Sequence, residues 1–386
     1  MDLLNRAIML DVAMAPQWLR LAFHDAGTFD QRSNVGGANG CLLNDPEMRR
    51  QEENHSLDLA LETLVTVRDV WGVDATSADL IQFAGVFVAV RQTGEPGMTE
   101  GKAQELLDIF EWGRVDEPNC NIEWTHNLPG FELGTEPVSD VARRCQLAGK
   151  EIKDKMMDRN GFSDFEATAL IGAHTIGLTR NIFGDEAAGP WNDNGVDDAT
   201  PEGPVMDNQF HNFLINDIEA STIDEFVQNR SPFTTNFPTW FQVPGEININ
   251  HLDTDMALAF PSPNINVHPD FHKFTELFSQ SNFFFMRAFM RALDKMTKLG
   301  TQRSELALAT DCSTSSITSG NNENNPDFVD PMRVFGGVGP ATPAAPASFE
   351  DMIQASIAMA QELLEETAVA REEDIAFLTT PVENFV

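Results

Sequence analysis

Arg20-Leu21-Ala22-Phe23-His24-Asp25-Ala26-Gly27 is the stretch that decides how this chain folds and what it can do. Residues four apart on a helix share a face, so Arg20 and His24 project together with Phe23 beside them. A fixed cation next to an imidazole suits chemistry in which one group shuttles a proton while the other stabilises developing negative charge. A lone Arg-x-x-x-His is more often a solvated arginine and a satisfied histidine. The balance changes with a second stretch, Ala169-Leu170-Ile171-Gly172-Ala173-His174-Thr175-Ile176-Gly177, which sets another helical histidine among apolar residues.

Outward from the first stretch, Pro16 stands where a proline opens a helix, predicting one through Trp18, Arg20 and His24 after a short amphipathic helix over 1–12. The segment 27–44 is glycine-rich and polar and reads as irregular loop; with no strand before it, it is not a dinucleotide cradle. Helix is expected over 54–70. Thr76-Ser77-Ala78-Asp79 is a capping-box start for a helix reaching Arg91, and 94–138 reads as punctuated loop with short elements. Helix resumes over 140–157, with Arg143, Arg144, Lys150 and Lys153 expected on exposed faces. Ser163-Asp164-Phe165-Glu166 caps the helix that ends near His174. Further helices are expected over 206–215, 269–280 and 282–298, and 244–250 reads as a short strand or extended loop. The segment 184–204, rich in Pro, Gly, Asn and Asp, reads as a long functional loop or metal site. The expected fold is therefore mainly α with little strand, in two helical lobes, 1–150 and 151–312. An extended wrap with one terminal helix follows over 313–386.

Composition narrows the partners. Sixty acidic against 25 basic side chains leave a net charge of −35, which repels nucleic acid, anionic membrane surfaces and small anionic substrates. Neutral or cationic molecules, or a basic protein, are favoured instead. No run of 18 or more apolar residues occurs, so no membrane span is expected. The first residues lack the parts of a secretory signal, which leaves an intracellular protein or a mature form with an added Met. Cys41, Cys120, Cys145 and Cys312 match no zinc spacing and read as structural; two disulfides could form in any of three connectivities. There is no tyrosine beside 28 phenylalanines, a bias that points away from redox-active phenols.

Arg-Leu-Ala-Phe-His-Asp-Ala-Gly-Thr at 20–28 and Gly-Ala-His-Thr-Ile-Gly at 172–177 resemble the distal and proximal motifs of the plant, fungal and bacterial haem peroxidase superfamily. Asn54, thirty residues after His24, Leu252-Asp253-Thr254-Asp255-Met256-Ala257-Leu258, Gly113-Arg114-Val115-Asp116 and Met206-Asp207-Asn208-Gln209-Phe210 are similar to further landmarks, so the resemblance covers roughly 1–312. It implies haem b between two helical lobes, with His174 as the axial iron ligand and Asp255 hydrogen-bonded to its other ring nitrogen. It also implies that His24 moves the peroxide proton, Arg20 stabilises charge, and Asn54 sets the His24 tautomer. A ferryl intermediate would then be reduced by two one-electron donors.

The branches of the superfamily are mixed here. Phe23 is similar to the secreted fungal, ligninolytic branch. Gly189-Pro190-Trp191 resembles the segment with a proximal tryptophan in the intracellular ascorbate and cytochrome c peroxidase branch, and a packing aromatic in a long loop is the competing reading of Trp191. Thr175, Asp198, Thr200 and Asp207 match a proximal calcium site, whereas Asn192 and Asn194 would make potassium the ion. Asp25 matches part of a distal cation site, with Asn39 and Cys41 where the secreted pattern has Asp and Ser. Manganese ligands are replaced by Ala13, Gln17 and Arg180, the surface tryptophan of lignin oxidation by Ala169, and the basic pair for ascorbate by Val12 and Phe183. The resemblance thus implies a monomeric enzyme that reduces hydrogen peroxide and oxidises a small aromatic donor such as a phenol, or a basic electron-transfer protein. A cytochrome c peroxidase with a Trp191 radical and a non-catalytic haem-binding protein are the alternatives. The layout after 206, the low pI and the sequon at Asn229 favour an extracellular protein, with an intracellular or organellar one as the alternative.

Overall fold

The computed structural model describes residues 4, 7–8, 14–71, 75–93, 100–130, 141–180, 187–190, 205–219, 240–242, 250–262, 269–301 and 306–308. The expectations for 1–12 fall mostly outside these, and those for Trp191, Asn192, Asn194, Asp198, Thr200, Asn229 and 313–386 fall wholly outside them.

Helix dominates the described chain. Helix α1, Met14–Ala26, buries Trp18, Leu21 and Ala22 on one face, the 3.6-residue period of the opening stretch. It lies on α3, Ser77–Arg91, which is buried almost throughout because it forms the centre of the first lobe. Gly85 is the point of closest approach: a Cβ there would stand 2.5 Å from the Ala22 Cβ. Helix α2, Asp58–Trp71, flanks them. Thr76 caps α3 through the Asp79 N–H at 3.0 Å, but the reciprocal half of the expected capping box is absent. The Asp79 carboxylate instead takes the Gly113 and Arg114 N–H groups and the Arg114 guanidinium, at 2.8–3.2 Å. Asp116 then accepts from the Ser77 and Ala78 N–H groups, so Gly113-Arg114-Val115-Asp116 seals the helix start.

One of the short elements expected within the loop over 94–138 is a helix, α4, Glu100–Asp108. Its Ala103, Leu106 and Leu107 are buried at helical spacing among strong helix formers, a signal that the proline and glycine just upstream obscure.

Helix α5, Val141–Ile152, runs on through a wider, π-helical stretch, Lys153–Arg159. Arg159 and Asn160 at its end reach back to the loop after α1: Asn160 Nδ2 donates to Gly27 and Phe29 carbonyls at 3.1 and 2.7 Å. Arg144 is not on an exposed face as its sequence neighbours suggested. It is 3% exposed and donates to Asp253 at 2.6–3.1 Å, because α5 packs on α8, Asp253–Ala259.

The later helices are α6, Asp164–Ile171, the short α7, Gln209–Phe213, then α8, α9, His272–Gln280, and α10, Asn282–Thr297. Ser163 and Glu166 form the expected reciprocal capping box at the start of α6. Among the described residues strand is confined to two-stranded antiparallel pairs, one of which joins Glu111–Trp112 to Ala307–Leu308. Of the segment 244–250 only Asn250 is described; it opens Asn250–Leu252, which pairs with Trp240–Gln242.

Among the described residues one disulfide, Cys41–Cys120, is present, closing a loop of 79 residues; Cys312 lies outside them. The expectation of two disulfides does not hold: Cys145 is a free thiol buried on α5, where burial pushes its pKa up to about 12, so it is inert. Among the described residues no helix is long and apolar enough to cross a membrane.

Candidate active site

His24 sits two residues before the end of α1, half-buried, with Phe23 edge-on to it at 6.0 Å. Its Nδ1 lies 2.9 Å from Asn54 Oδ1. Asn54 is not in a helix as the periodicity suggested; it ends a 3-10 turn, Glu52–Asn54, and α2 begins only at Asp58. The reason is that its amide is fully engaged, Nδ2 donating to the Met48 carbonyl at 2.7 Å. That donor bond fixes the amide orientation, so Oδ1 must accept and His24 Nδ1 must carry the proton. Nε2 is left with the lone pair. Asn54 is also closed to glycosylation, although Asn54-His55-Ser56 matches the sequon.

The His24 pKa is lowered to about 3, chiefly by burial and then by the Arg20 charge, with the Asn54 bond pulling the other way. The ring is therefore neutral across the physiological range. Arg20, one turn earlier, is exposed and donates from Nη1 to the His55 carbonyl and from Nη2 to the Glu53 carbonyl, both at 2.8 Å. Arg20, His24 and Asn54 are thus brought together as expected.

The second histidine is built in the same way. Helix α6 tightens into a 3-10 turn, Gly172–Thr175, that presents His174 with its side chain 31% exposed. Nδ1 lies 2.9 Å from Asp255 Oδ1, while Asp255 Oδ2 accepts the Leu252 N–H at 2.8 Å; the carboxylate is fully buried. Nδ1–H is the donor and Nε2 again keeps its lone pair. An imidazole held through Nδ1 by a buried carboxylate, its side chain 31% exposed, is the kind of donor that suits haem iron. The residues present therefore fit the cofactor.

Thr175 Oγ1 donates to Asp207 Oδ1 at 2.9 Å, which brings two of the four expected proximal cation ligands together. Burial raises the Asp207 pKa. The Asp25 carboxylate faces donors instead: the Gly40 N–H at 3.1 and 3.3 Å and Gln82 Nε2 at 3.3 Å. Burial lifts its pKa to about 7, and these protein hydrogen bonds engage the carboxylate at a position that matched a distal cation site only in part.

Sequence reading missed His211. It is fully buried beside Phe210, Phe278 and Phe285, with both ring nitrogens lacking a hydrogen-bond partner and its pKa lowered to about 3 by burial. A Cβ on Gly172 would meet His211 Nε2 at 2.6 Å and Phe285 at 2.3 Å, so the turn holding His174 rests directly on this ring. The unfolded chain binds a proton at residue 211 near pH 6.5 and the folded chain does not, so stability falls as pH drops from about 6.5 toward 3. By linkage the loss between pH 7 and pH 4 is about 3 kcal/mol. Urea unfolding at the two pH values should show that loss shrinking by about this amount in His211→Phe; an unchanged difference would show that His211 is not what titrates.

Two histidines with anchored Nδ1 atoms, an arginine beside one and a buried carboxylate behind the other, are the arrangement that the resemblance to haem peroxidases implies. A family model described as peroxidase matches residues 2–319, and the chain belongs to that family. It is 34% identical over 189 residues to L-ascorbate peroxidase 3 of Arabidopsis thaliana, covering 48% of this chain and 54% of that protein. It is 26% identical over 295 residues to the peroxisomal L-ascorbate peroxidase 5 of the same plant, covering 76% and 79%. A Yarrowia lipolytica protein provisionally named a mitochondrial cytochrome c peroxidase is 25% identical over 331 residues, covering 84% of this chain and 94% of its own. The chain therefore spans about half the length of one of these relatives and most of the other two. Two of the three names carry an intracellular location, peroxisomal and mitochondrial, and none supports the extracellular expectation.

Proposed function

We propose that the chain is a hydrogen-peroxide-dependent haem peroxidase that oxidises one-electron donors, small neutral aromatics in the first place. The observation that carries this is the matched pair of anchored imidazoles, His24 on Asn54 and His174 on Asp255, each at 2.9 Å. Haem b would be held through His174 and would supply the redox centre for reducing the peroxide. His24 Nε2 would take the proton from one oxygen of hydrogen peroxide and return it to the leaving oxygen, which departs as water. Arg20 stabilises the charge that builds as the O–O bond breaks. Asn54 keeps His24 in the tautomer that makes Nε2 the base, and Asp255 strengthens His174 as a donor. Two electrons from two donor molecules and two protons complete the reduction to two waters. The intact assembly of Arg20, His24 and Asn54 stands against a haem carrier without turnover.

The second reading, a basic electron-transfer protein as donor, is favoured by the net charge of −35 and by the name of the Yarrowia relative. In that reading Trp191 carries the radical. The same charge disfavours anionic ascorbate, despite the names of the plant relatives. Steady-state rates with guaiacol-type phenols, ascorbate, manganese and cytochrome c at low and high salt decide between donors. A rate with cytochrome c that exceeds the phenol rate, falls as salt screens charge and drops in Trp191→Phe would replace the aromatic-donor reading.

At the proximal side, Thr175 and Asp207 are proposed to hold a cation, calcium with Asp198 and Thr200 or potassium with Asn192 and Asn194. A bound ion should raise the melting temperature on addition of calcium or potassium, and Asp207→Ala should remove the response. No response to either ion in the parent protein would end that proposal. For location, an intracellular or organellar compartment follows from the relatives' names. The Cys41–Cys120 disulfide is the observation on the other side, since such bonds persist in oxidising surroundings.

A further inference from the structure

The segment that grips both catalytic side chains of the peroxide side carries an unusual residue. Leu57 N–H donates to the Asn54 carbonyl at 3.3 Å, closing a four-residue turn over 54–57. His55, at φ −52° and ψ 145°, and Ser56, at φ 69°, are its two corners. These are the angles of a type II turn, whose second corner needs φ above zero and is normally glycine or asparagine. A serine there sets its Cβ against the following carbonyl. No hydrogen bond joins its hydroxyl to another described residue, so side-chain bonding does not account for the choice of conformation.

What the turn type decides is the direction of one peptide. Type I and type II turns differ by a flip of the central peptide, here the one between His55 and Ser56. In the type II form the His55 carbonyl reaches Arg20 Nη1 at 2.8 Å. In the type I form that carbonyl would turn away and the Ser56 N–H would turn toward the guanidinium, donor against donor. The neighbouring residues make the consequence larger: the Glu53 carbonyl holds Arg20 Nη2 at 2.8 Å and the Asn54 side chain holds His24 at 2.9 Å. Three consecutive residues therefore set Arg20 and His24 relative to each other.

We propose that Ser56 is a positioning residue of the peroxide site: its left-handed backbone keeps the His55 carbonyl turned to Arg20 and so fixes the guanidinium beside His24. The proposal rests on the roles given above to Arg20 and His24. It acts through backbone conformation alone, which separates the variants cleanly. Glycine and asparagine tolerate φ above zero without the hydroxyl, whereas threonine keeps the hydroxyl but is β-branched and resists that region.

The test is the haem-loaded full chain carrying Ser56→Gly, Ser56→Asn or Ser56→Thr, with His24→Leu alongside. Two quantities are measured: the rate constant for peroxide consumption from pH 4 to pH 8, and the dissociation constant of fluoride, a small anion that reports a positive charge held in the pocket. Ser56→Gly and Ser56→Asn should stay within about twofold of the parent in both. Ser56→Thr should lose about tenfold in rate and weaken fluoride by a similar factor, the scale expected when a positioned group is displaced. If Ser56→Thr does not fold, Ser56→Val, β-branched in the same way, takes its place with a loss of similar size expected. The proposal fails if the threonine or valine variant matches the parent, or if glycine loses as much as they do. An active His24→Leu would instead overturn the reading of the site itself.

Discussion

His24→Leu should lower the rate constant for peroxide consumption by about 10²–10⁴-fold, the range for loss of a positioned general acid–base group. The size follows from the geometry. His24 Nδ1 is committed to Asn54 at 2.9 Å, so Nε2 is the one atom of the ring that can accept the peroxide proton, and leucine keeps the volume but removes it. Binding of haem through His174 is untouched, so the absorbance of the bound haem should be preserved while the rate collapses. The pH profile gives an independent check. With its pKa lowered to about 3, His24 stays a competent base down to about pH 4, and the parent rate should be level from pH 8 to that point before falling. Asn54→Val should give a smaller loss, because it frees the tautomer without removing the base. Stopped-flow absorbance at low peroxide measures all three. A leucine variant within a few-fold of the parent would remove His24 from the reaction.

How far the sequence carried this reading depends on whether a feature was local. The helical spacing of Arg20 and His24, the capping box at Ser163 and the boundaries of α9 and α10 depend on near neighbours, and each was legible. Asp255 was found because its segment resembles a known one; nothing in its own pattern separates it from Asp253, two residues away. The structure separates them by partner, His174 for one and Arg144 for the other. Arg144 was misread because an arginine among other basic residues normally marks a solvated helix face, and only the packing of α5 on α8 buries it. Asn54 was misread for a related reason: the periodicity of α2 extends back through it, but its amide is claimed by His24 and Met48. His211 and Ser56 left no trace at all. A buried imidazole and a left-handed serine are both local anomalies, and such places are where a chain departs from its own propensities to shape a site.

The buried pair Arg144–Asp253 carries the largest expected stability effect. The side chains are 3% and 2% exposed and joined by hydrogen bonds of 2.6, 2.8 and 3.1 Å. Removing one partner leaves the other charge without its counter-ion away from water, so Arg144→Ala or Asp253→Ala should each cost about 3–5 kcal/mol. Folded proteins hold about 5–15 kcal/mol in total, so either change uses a large share of the margin. The site should feel it as well, because Asp253 and Asp255 share the first turn of α8, and a displaced turn weakens the hold on His174. Urea unfolding of the haem-free and haem-loaded forms separates the two consequences: haem should stabilise Arg144→Ala less than it stabilises the parent. A paired replacement, Arg144→Met with Asp253→Leu, fills the space with apolar groups and leaves no unpaired charge, so it should regain most of the stability lost by either alanine variant. If the pair of apolar residues were as unstable as the single variants, packing volume and not the uncompensated charge would be what α5 and α8 lose.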